Sequence, residues 1–331
     1  GVFSVRLLAS AIGLQGGQLV ITTDFGPVAI PVRGSVCAPV NTSLQDTGFD
    51  GDGMVLAEAQ PGLGRDDELR AVAALPDGRI VVCRLASGAP DPAFGSGGYT
   101  TVDFGGTDKA YALAVQSDGK IVVAGTTGLD FALARLTATG ALDPTFSGDG
   151  KATVDFDGGT DIAYGVALTA EGRIVAAGSA GDSAGFLALT HFAAARFHAN
   201  GNPDPGFGGT GRVKAAVSTT RSDGASCVLV RPDGKVLAGG NVSLSAADSR
   251  PAFVRWTAAG VPDATFGPGT GISAIPANSV NYTITSMTSQ PASGLVVAAG
   301  SIFSSFSSQR LIRLLADGSI DPAFGGTVAP L

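Results

Sequence analysis

Four aspartates occupy one repeated position of the sequence, each ten residues before the acidic residue of an Asp-Gly or Glu-Gly pair. Carboxylate oxygens are the ligands that Ca²⁺ and other hard cations prefer, so carboxylates that converge on one face indicate a site for a cation or a cationic ligand. The alternative is local, because an Asp after Gly-Gly-Thr is common turn chemistry in which the side chain accepts hydrogen bonds from nearby backbone N–H groups. The candidate ligand-binding residues are Asp67, Asp108, Asp161 and Asp223, and the candidate metal ligands among them are Asp108, Asp161 and Asp223.

A second repeated set combines an Arg in an apolar strand pattern with an Asp that stands three residues before a Phe. An Arg that shares a strand face with apolar side chains is partly buried and needs a carboxylate or carbonyl partner. We therefore predict an internal ion pair in each repeat, with a structural role. The arginines are Arg84, Arg135, Arg196, Arg255 and Arg313, with Arg33 as a further candidate, and the aspartates are Asp91, Asp143, Asp204, Asp263 and Asp321.

The remaining reactive side chains form no recognised catalytic motif. His191 and His198 have no motif partner in the sequence, and no Gly-x-Ser-x-Gly elbow is present, so nucleophilic catalysis is not predicted. The cysteines Cys37, Cys83 and Cys227 lack metal-ligand spacing, and the last two lie within apolar strand patterns, which is typical of small buried thiols. The sequence therefore assigns no catalytic residue.

The elements that must position these side chains are clearest between residues 110 and 156. Apolar or alternating patterns predict strands over 110–116, 120–125, 131–136 and 151–156, which we number one to four from the inside outward. Asp118-Gly119 joins the first two strands in a tight hairpin, because both positions tolerate positive φ. The segment Leu142-Asp143-Pro144-Thr145-Phe146 forms a corner after the third strand, where Pro presets the bend.

This pattern of four strands is one repeat, and the sequence contains six repeats if the two ends of the chain together supply one of them. Four short strands in each unit predict an all-β fold, a six-bladed β-propeller of four-stranded antiparallel blades, with the second blade shortened. Residues 1–331 then form a single domain, and the N- and C-terminal segments complete the ring. In the first repeat, residues 18–21 and 29–33 are the predicted second and third strands. An open β-solenoid is the main alternative, but tight Asp-Gly hairpins favour antiparallel blades.

The order of three segments in this unit resembles the delta-60 repeat family. The segments are Asp118-Gly-Lys-Ile-Val-Val-Ala-Gly125, Phe131-Ala-Leu-Ala-Arg-Leu136 and Leu142-Asp-Pro-Thr-Phe146. The resemblance covers roughly residues 44–324. It is weak in the first 40 residues and in the second repeat, where Cys83 is followed directly by Arg84. It implies a β-propeller in a bacterial, often exported setting, which means periplasmic, cell-surface or secreted, and it supplies no catalytic residue.

Composition sets limits on the class of protein. The 331 residues are 44% hydrophobic and 15% charged, so the chain can bury a core, and its 49 Gly indicate many turns between short strands. The net charge is −7 and no Lys/Arg cluster is present, so a nucleic-acid partner is not expected. No uninterrupted apolar run is long enough to predict a transmembrane segment.

Function is predicted to lie where the repeats differ, because variable loops on a regular scaffold usually carry specificity. The loops between strands two and three vary most, and the last of them contributes Phe303 and Phe306 as candidate ligand-binding residues. The first hypothesis is a non-enzymatic ligand-binding or surface-interaction propeller, which uses its loop face and channel mouth for a protein, glycan or small molecule. The second is a Ca²⁺-dependent hydrolase or lactonase-like enzyme with an Asp-lined channel mouth. The third is a structural module of a larger bacterial surface protein.

Overall fold

A computed structural model describes the strand residues 11–15, 18–23, 26–31, 71–74 and 80–83, and residues 93–183, 189–243, 249–275, 282–290, 293–302 and 308–324. Contacts divide the chain into two compact units. The first unit contains residues 1–53 and 76–79, and the second contains residues 54–75 and 80–331. The single domain over residues 1–331 stays a prediction.

The first unit contains one three-stranded antiparallel sheet. Its strands are β1 (Ala11–Gln15), β2 (Gln18–Thr23) and β3 (Gly26–Pro31). The predicted second strand is present, but the third begins at Gly26 rather than at Ala29, because Thr23 already pairs with Gly26 across the hairpin. Arg33 lies outside the described residues.

The second unit consists of antiparallel sheets built from consecutive strands. Residues of the second repeat contribute a strand pair, β4 (Ala71–Ala74) and β5 (Ile80–Cys83). Sheet A contains β6 (Lys109–Val115), β7 (Ile121–Thr126), β8 (Phe131–Leu136) and β9 (Lys151–Val154). Sheet B contains β10 (Asp161–Leu168), β11 (Ile174–Gly181), β12 (Thr190–Phe197) and β13 (Arg212–Ala215). Sheet C contains β14 (Asp223–Val230), β15 (Val236–Ser243), β16 (Ser249–Trp256) and β17 (Ile272–Ala274), and sheet D contains β18 (Tyr282–Ser289), β19 (Val296–Ile302) and β20 (Ser308–Leu314).

These sheets confirm the all-β prediction and the four-stranded antiparallel unit. The predicted hairpins lie between strands one and two, where Gly119, Gly172 and Gly234 have φ values of 82°, 77° and 77°. Glycine adopts this left-handed conformation without strain because it has no Cβ. The count of six blades and the closure of a ring stay predictions.

The core of the second unit lies between neighbouring sheets. Phe131 and Phe146 of the sheet A repeat pack in one buried cluster with Ile174 of sheet B. A second cluster joins sheets B and C around Trp256, and a third joins sheets C and D. Sheets B and C therefore bury both faces, which explains why their middle strands are largely apolar rather than alternating.

Among the described residues, the corner after the third strand carries an Arg–Asp ion pair in four repeats, and the pair is buried in all of them except the last, where Arg313 is partly exposed. In sheet B, Arg196 Nε lies 2.7 Å from Asp204 Oδ2, and the guanidinium stacks on Phe207 with 4.8 Å between Cζ and the ring centroid. A terminal guanidinium nitrogen of the same Arg donates to the Ala258 carbonyl of sheet C. The other pairs are Arg135 with Asp143, Arg255 with Asp263 and Arg313 with Asp321.

A second contact, which we call the latch, joins each corner Phe to the turn that follows the third strand of the next sheet. The ring of Phe207 lies against Gly260, so that a Cβ on this glycine would stand 3.0 Å from the ring and 2.5 Å from Gly208 N. Gly208 N also donates a 2.9 Å hydrogen bond to the Ala259 carbonyl. Equivalent latches join Phe94 to Gly140, Phe146 to Gly201 and Phe266 to Gly318.

In the part of the chain that the structure describes, no helix has the length and apolar character that a membrane span requires.

Candidate functional site

Polar side chains lie close together at the edge of sheets A to C where the first strand of each sheet begins. Asp161 opens β10 and Asp223 opens β14, and each lies beside the first residues of the third strand in the preceding sheet. We call this set of side chains the polar edge. Its members are Asp130, Asp155, Asp157, Asp161, Asp182, His191, Lys214 and Asp223.

Asp161 is fully buried and bonded to the backbone around it. Its Oδ2 accepts a 2.8 Å hydrogen bond from Phe156 N, and its Oδ1 accepts one of 3.0 Å from Gly181 N. Burial raises the pKa of Asp161 to about 6, and the charges of Asp155 and Asp130 add to the shift, while the two N–H groups oppose it. This carboxyl group can therefore exchange a proton close to neutral pH.

Asp130, Asp155 and Asp161 bring their carboxylates together. Among the described residues they form the one group of three acidic, His or Cys side chains whose ligand atoms lie within 4.8 Å of one another. Burial and, secondly, the Asp155 charge raise the pKa of Asp130. Asp155 is exposed and Asp130 partly buried, so solvent reaches the group. Carboxylates at this spacing suit a hard cation such as Ca²⁺ or an organic ammonium group.

Asp223 forms a different group with His191, which the preceding sheet contributes. The Oδ2 atom of Asp223 lies 3.2 Å from His191 Nδ1 and accepts 3.0 Å hydrogen bonds from Val217 N and Ser218 N. Its Oδ1 accepts a 3.0 Å bond from Phe192 N. Burial raises the pKa of Asp223, and the hydrogen bonds from Ser218, His191 and Phe192 oppose that shift. The pair joins sheets B and C.

A surface network extends from this pair toward solvent. His191 Nε2 lies 3.4 Å from Asp182 Oδ2, and Lys214 Nζ lies 2.8 Å from Asp182 Oδ1. Lys214 also contacts the Asp157 carboxylate. Hydrogen bonding to Lys214 is the largest influence that lowers the pKa of Asp182. The sheet B side of the polar edge is thus held by paired opposite charges.

Asp108 differs from the two buried aspartates. Its Oδ2 accepts a 2.7 Å hydrogen bond from Phe104 N, but its Oδ1 is buried and has no hydrogen-bond partner. The residue that corresponds to Gly181 in sheet A is Gly128, whose N–H donates instead to Thr126 Oγ1 at 3.0 Å. The shorter loop of sheet A therefore removes the donor that Asp161 retains.

The polar edge varies at one position that the sheets share. Asp130 directly precedes Phe131 in sheet A, and His191 directly precedes Phe192 in sheet B. Each contacts the Asp that opens the first strand of the next sheet. The scaffold thus presents a carboxylate pair at one place and a His–Asp pair at the equivalent place.

The structure gives each of the aspartates that the sequence grouped its own set of hydrogen-bond partners. Asp161 and Asp223 both bond to backbone N–H groups, and among the described residues Asp108, Asp161 and Asp223 do not form one group with metal-ligand spacing. Several other candidates of the sequence lie outside the described residues, so their placement stays a prediction. They are Asp67, Phe303 and Phe306 of the ligand-binding set and Arg84 and Asp91 of the structural set.

Sequence reasoning missed Asp130, Asp155 and His191. The signal that identifies Asp130 and His191 is their shared position before the first Phe of the third strand, where the repeats differ in charge. His191 has no motif partner in the sequence, but it lies in β12, which begins at Thr190, and its partner Asp223 comes from the next sheet. Cys227 is partly buried in β14, and burial raises the pKa of its thiol to about 12, so this residue is unreactive at neutral pH.

Comparison with known proteins supports the repeat and its fold. Four stretches match the family described as "Domain of unknown function (DUF5122) beta-propeller". They are residues 116–146, 170–207, 231–266 and 292–324, and each begins near a hairpin and ends at a corner Phe. No curated protein matches the chain.

Two solved structures resemble the chain at low identity. A protein of unknown function from Dyadobacter fermentans shares 11% identity over 66% of this chain and 69% of its own, with a TM-score of 0.42. A virginiamycin B lyase from Staphylococcus aureus shares 10% identity over 78% of this chain and 84% of its own, with a TM-score of 0.34. Neither resemblance supports an inference about function. The four matched stretches are similar to a β-propeller repeat of unknown function.

Proposed function

We propose that the chain is a non-enzymatic ligand-binding or surface-interaction β-propeller whose binding face includes the polar edge. One observation carries the proposal: the equivalent residues Asp130 and His191 differ in charge although the surrounding scaffold is the same. A residue that is present in every repeat usually has a structural role in that repeat. Recognition of one ligand instead requires residues that differ between repeats while the backbone stays the same. The loops between strands two and three begin at the same edge.

A thermal-shift screen with two matched double variants tests this proposal. Asp130→Asn with Asp155→Asn removes two charges from the polar edge, whereas Asp118→Asn with Asp233→Asn removes two charges from the hairpins at the opposite end of the first strands. The screen contains metal salts, polyamines, amino acids and neutral sugars. We expect a compound that stabilises the wild-type chain to lose its effect in the first variant alone. Equal stabilisation of both variants by every such compound would contradict the proposal.

A calcium-dependent hydrolase is the second candidate, and the carboxylate group of Asp130, Asp155 and Asp161 favours it. A bound Ca²⁺ would polarise a substrate carbonyl there as a Lewis acid. Calorimetric titration with CaCl₂, followed by assays on a chromogenic ester and a simple lactone with and without EDTA, separates this candidate from the first. Calcium binding without calcium-dependent hydrolysis would favour the binding protein.

The finer assignments belong to the same proposal. The delta-60 family, six blades and an exported bacterial setting rest on the sequence repeats and on the resemblance that they carry. A crystal structure would count the blades and show whether the ring closes. Fractionation of the source cells would test the export, and a purely cytoplasmic location would contradict it.

A further inference from the structure

A β-bulge interrupts the first strand of every sheet from A to D at the same position. The pairing with the second strand shifts by one residue between Ala110 and Ala112 in β6 and between Ala163 and Gly165 in β10. The same shift occurs in β14 and in β18. The inserted residues are Tyr111, Tyr164, Ser226 and Thr285.

The bulge is built into the repeat by a glycine on the second strand. A Cβ on Gly178 would stand 1.8 Å from the Ile162 carbonyl oxygen, so only glycine permits the close approach of the bulged strand. Gly125, Gly240 and Gly300 occupy the equivalent positions, where a Cβ would stand 1.8 to 2.2 Å from a carbonyl oxygen. The bulge is therefore a conserved feature of the backbone in sheets A to D, whereas the type of the inserted residue differs between sheets.

Each inserted side chain carries a hydroxyl group, and each is at least partly exposed. Tyr111 and Tyr164 contact each other across neighbouring first strands, with 4.9 Å between ring centroids and an interplanar angle of 64°. The first strands of sheets A to D contact one another in order, and the inserted residue holds the same place in each strand. We therefore group the four hydroxyl-bearing residues as one row, in the order Tyr111, Tyr164, Ser226 and Thr285. We call these four residues the hydroxyl row.

We propose that the hydroxyl row binds a neutral carbohydrate, an inference that rests on the proposed ligand-binding function and names its ligand class. The exposed rim of an aromatic pair offers apolar area against which the C–H face of a sugar ring packs, and Tyr rings supply this area at low conformational cost. Hydroxyl groups both donate and accept hydrogen bonds, which matches the alternating donors and acceptors of a polyol. None of the four side chains is a charged group, which favours an uncharged ligand over an ionic one.

The test uses the full chain and a glycan array of neutral oligosaccharides, with calorimetry on the sugars that bind. We expect Tyr111→Ala and Tyr164→Ala each to weaken binding roughly tenfold or more, and Tyr164→Phe to weaken it less because the ring remains. Tyr99→Ala is the matched control, because Tyr99 is 51% exposed and lies outside the row. Circular dichroism of each variant shows whether the fold is retained.

Three results would overturn the proposal. They are failure of every neutral glycan to bind, binding that survives both Tyr→Ala substitutions in folded variants, and preference for a flat aromatic probe such as indole over all sugars. The Asp130→Asn, Asp155→Asn variant separates the two proposals. A ligand that depends on these carboxylates and not on the tyrosines would support the polar edge as the binding face while rejecting the hydroxyl row.

Discussion

At the scale of single residues, position on the repeat decides what a carboxylate does. Burial alone would raise the pKa of Asp143, but hydrogen bonds from Thr145 and Lys120 and the Arg135 charge outweigh it and lower the pKa to about 2. Asp161 has no cation within its hydrogen-bonding group, and burial raises its pKa to about 6. One residue type thus serves as a structural anion at the corner and as a titratable group at the polar edge.

Asp161 makes the stability of the fold depend on pH. Because its pKa is higher in the folded chain than the 3.8 expected in the unfolded one, the folded state binds more protons between pH about 4 and about 6. Its contribution to the free energy of unfolding is complete below pH about 4 and is lost as the pH rises through about 6. The loss is at most about 3 kcal/mol.

We predict that Asp161→Asn removes this dependence. The free energy of unfolding of the wild-type chain, relative to that of the variant, should fall by up to about 3 kcal/mol between pH about 4 and about 7. Urea titrations at several pH values measure it. The exposed Asp149→Asn variant is the control and should run parallel to the wild type. Parallel curves for Asp161→Asn would contradict the assignment.

The corner ion pair predicts a large loss on removal of its cation. Arg196→Leu leaves the buried Asp204 carboxylate without its main partner, and we expect the free energy of unfolding to fall by about 3 kcal/mol. Arg173 remains 3.4 Å from Asp204, which places the loss at the lower end of the usual range. Urea denaturation measures the change, and Arg221→Leu at an exposed site is the control. A loss equal to that of the control would show that the pair is unimportant.

At the scale of elements, the latch explains why the repeat keeps both a corner Phe and a turn glycine. The Phe of one sheet packs on the glycine of the next, and a backbone hydrogen bond accompanies the contact. The Arg of the same corner reaches a carbonyl in that same turn. Three contacts of different kinds thus fix each sheet against its neighbour at one end of the sheet.

Two glycines with the same backbone conformation separate steric from conformational effects at the latch. Gly260 has φ +79 and a Cβ there would meet Phe207 and Gly208, whereas Gly209 has φ +80 and open space around the Cβ position. Both alanine variants should lose about 1 kcal/mol from the left-handed conformation. Gly260→Ala should lose a further 1 to 3 kcal/mol, roughly, from overpacking. Equal losses in thermal or urea unfolding would contradict the latch.

At the scale of the molecule, the described sheets A to D share their cores with their neighbours. Since each cluster contains side chains of two adjacent sheets, no sheet in this series keeps its core when its neighbour unfolds. This arrangement favours unfolding in one cooperative step rather than sheet by sheet.

Trp256 provides a local probe of that cooperativity. It is the single Trp of the chain and is buried between sheets B and C, so its fluorescence reports on that interface, whereas far-ultraviolet circular dichroism reports on all strands. We predict that the two signals give coincident urea transitions in the wild type, and again at a lower midpoint in Phe146→Ala, which alters the cluster between sheets A and B. Separate transitions would show that the sheets unfold independently.

The amino-acid sequence predicted the strands of sheet A, the hairpins of sheets A to C and the repeat of four strands, because these depend on local features. Period-two patterns, Asp-Gly turns and the Asp-Pro-x-Phe corner each act within a few residues. The third strand of the first unit was misplaced by three residues, since Thr23 pairs with Gly26. Prediction of the candidate site was poorer, because Asp130 and Asp161 are 31 positions apart in sequence and belong to different sheets.

The sequence by itself thus determined the repeat, because each unit encodes its own strands and turns. Only the tertiary structure decided which side chains meet between units. It paired His191 with Asp223, gathered Asp130, Asp155 and Asp161, and brought Tyr111 against Tyr164. The physical reason is that sheet packing brings the third strand of one sheet against the first strand of the next, and no local pattern in the chain records this contact.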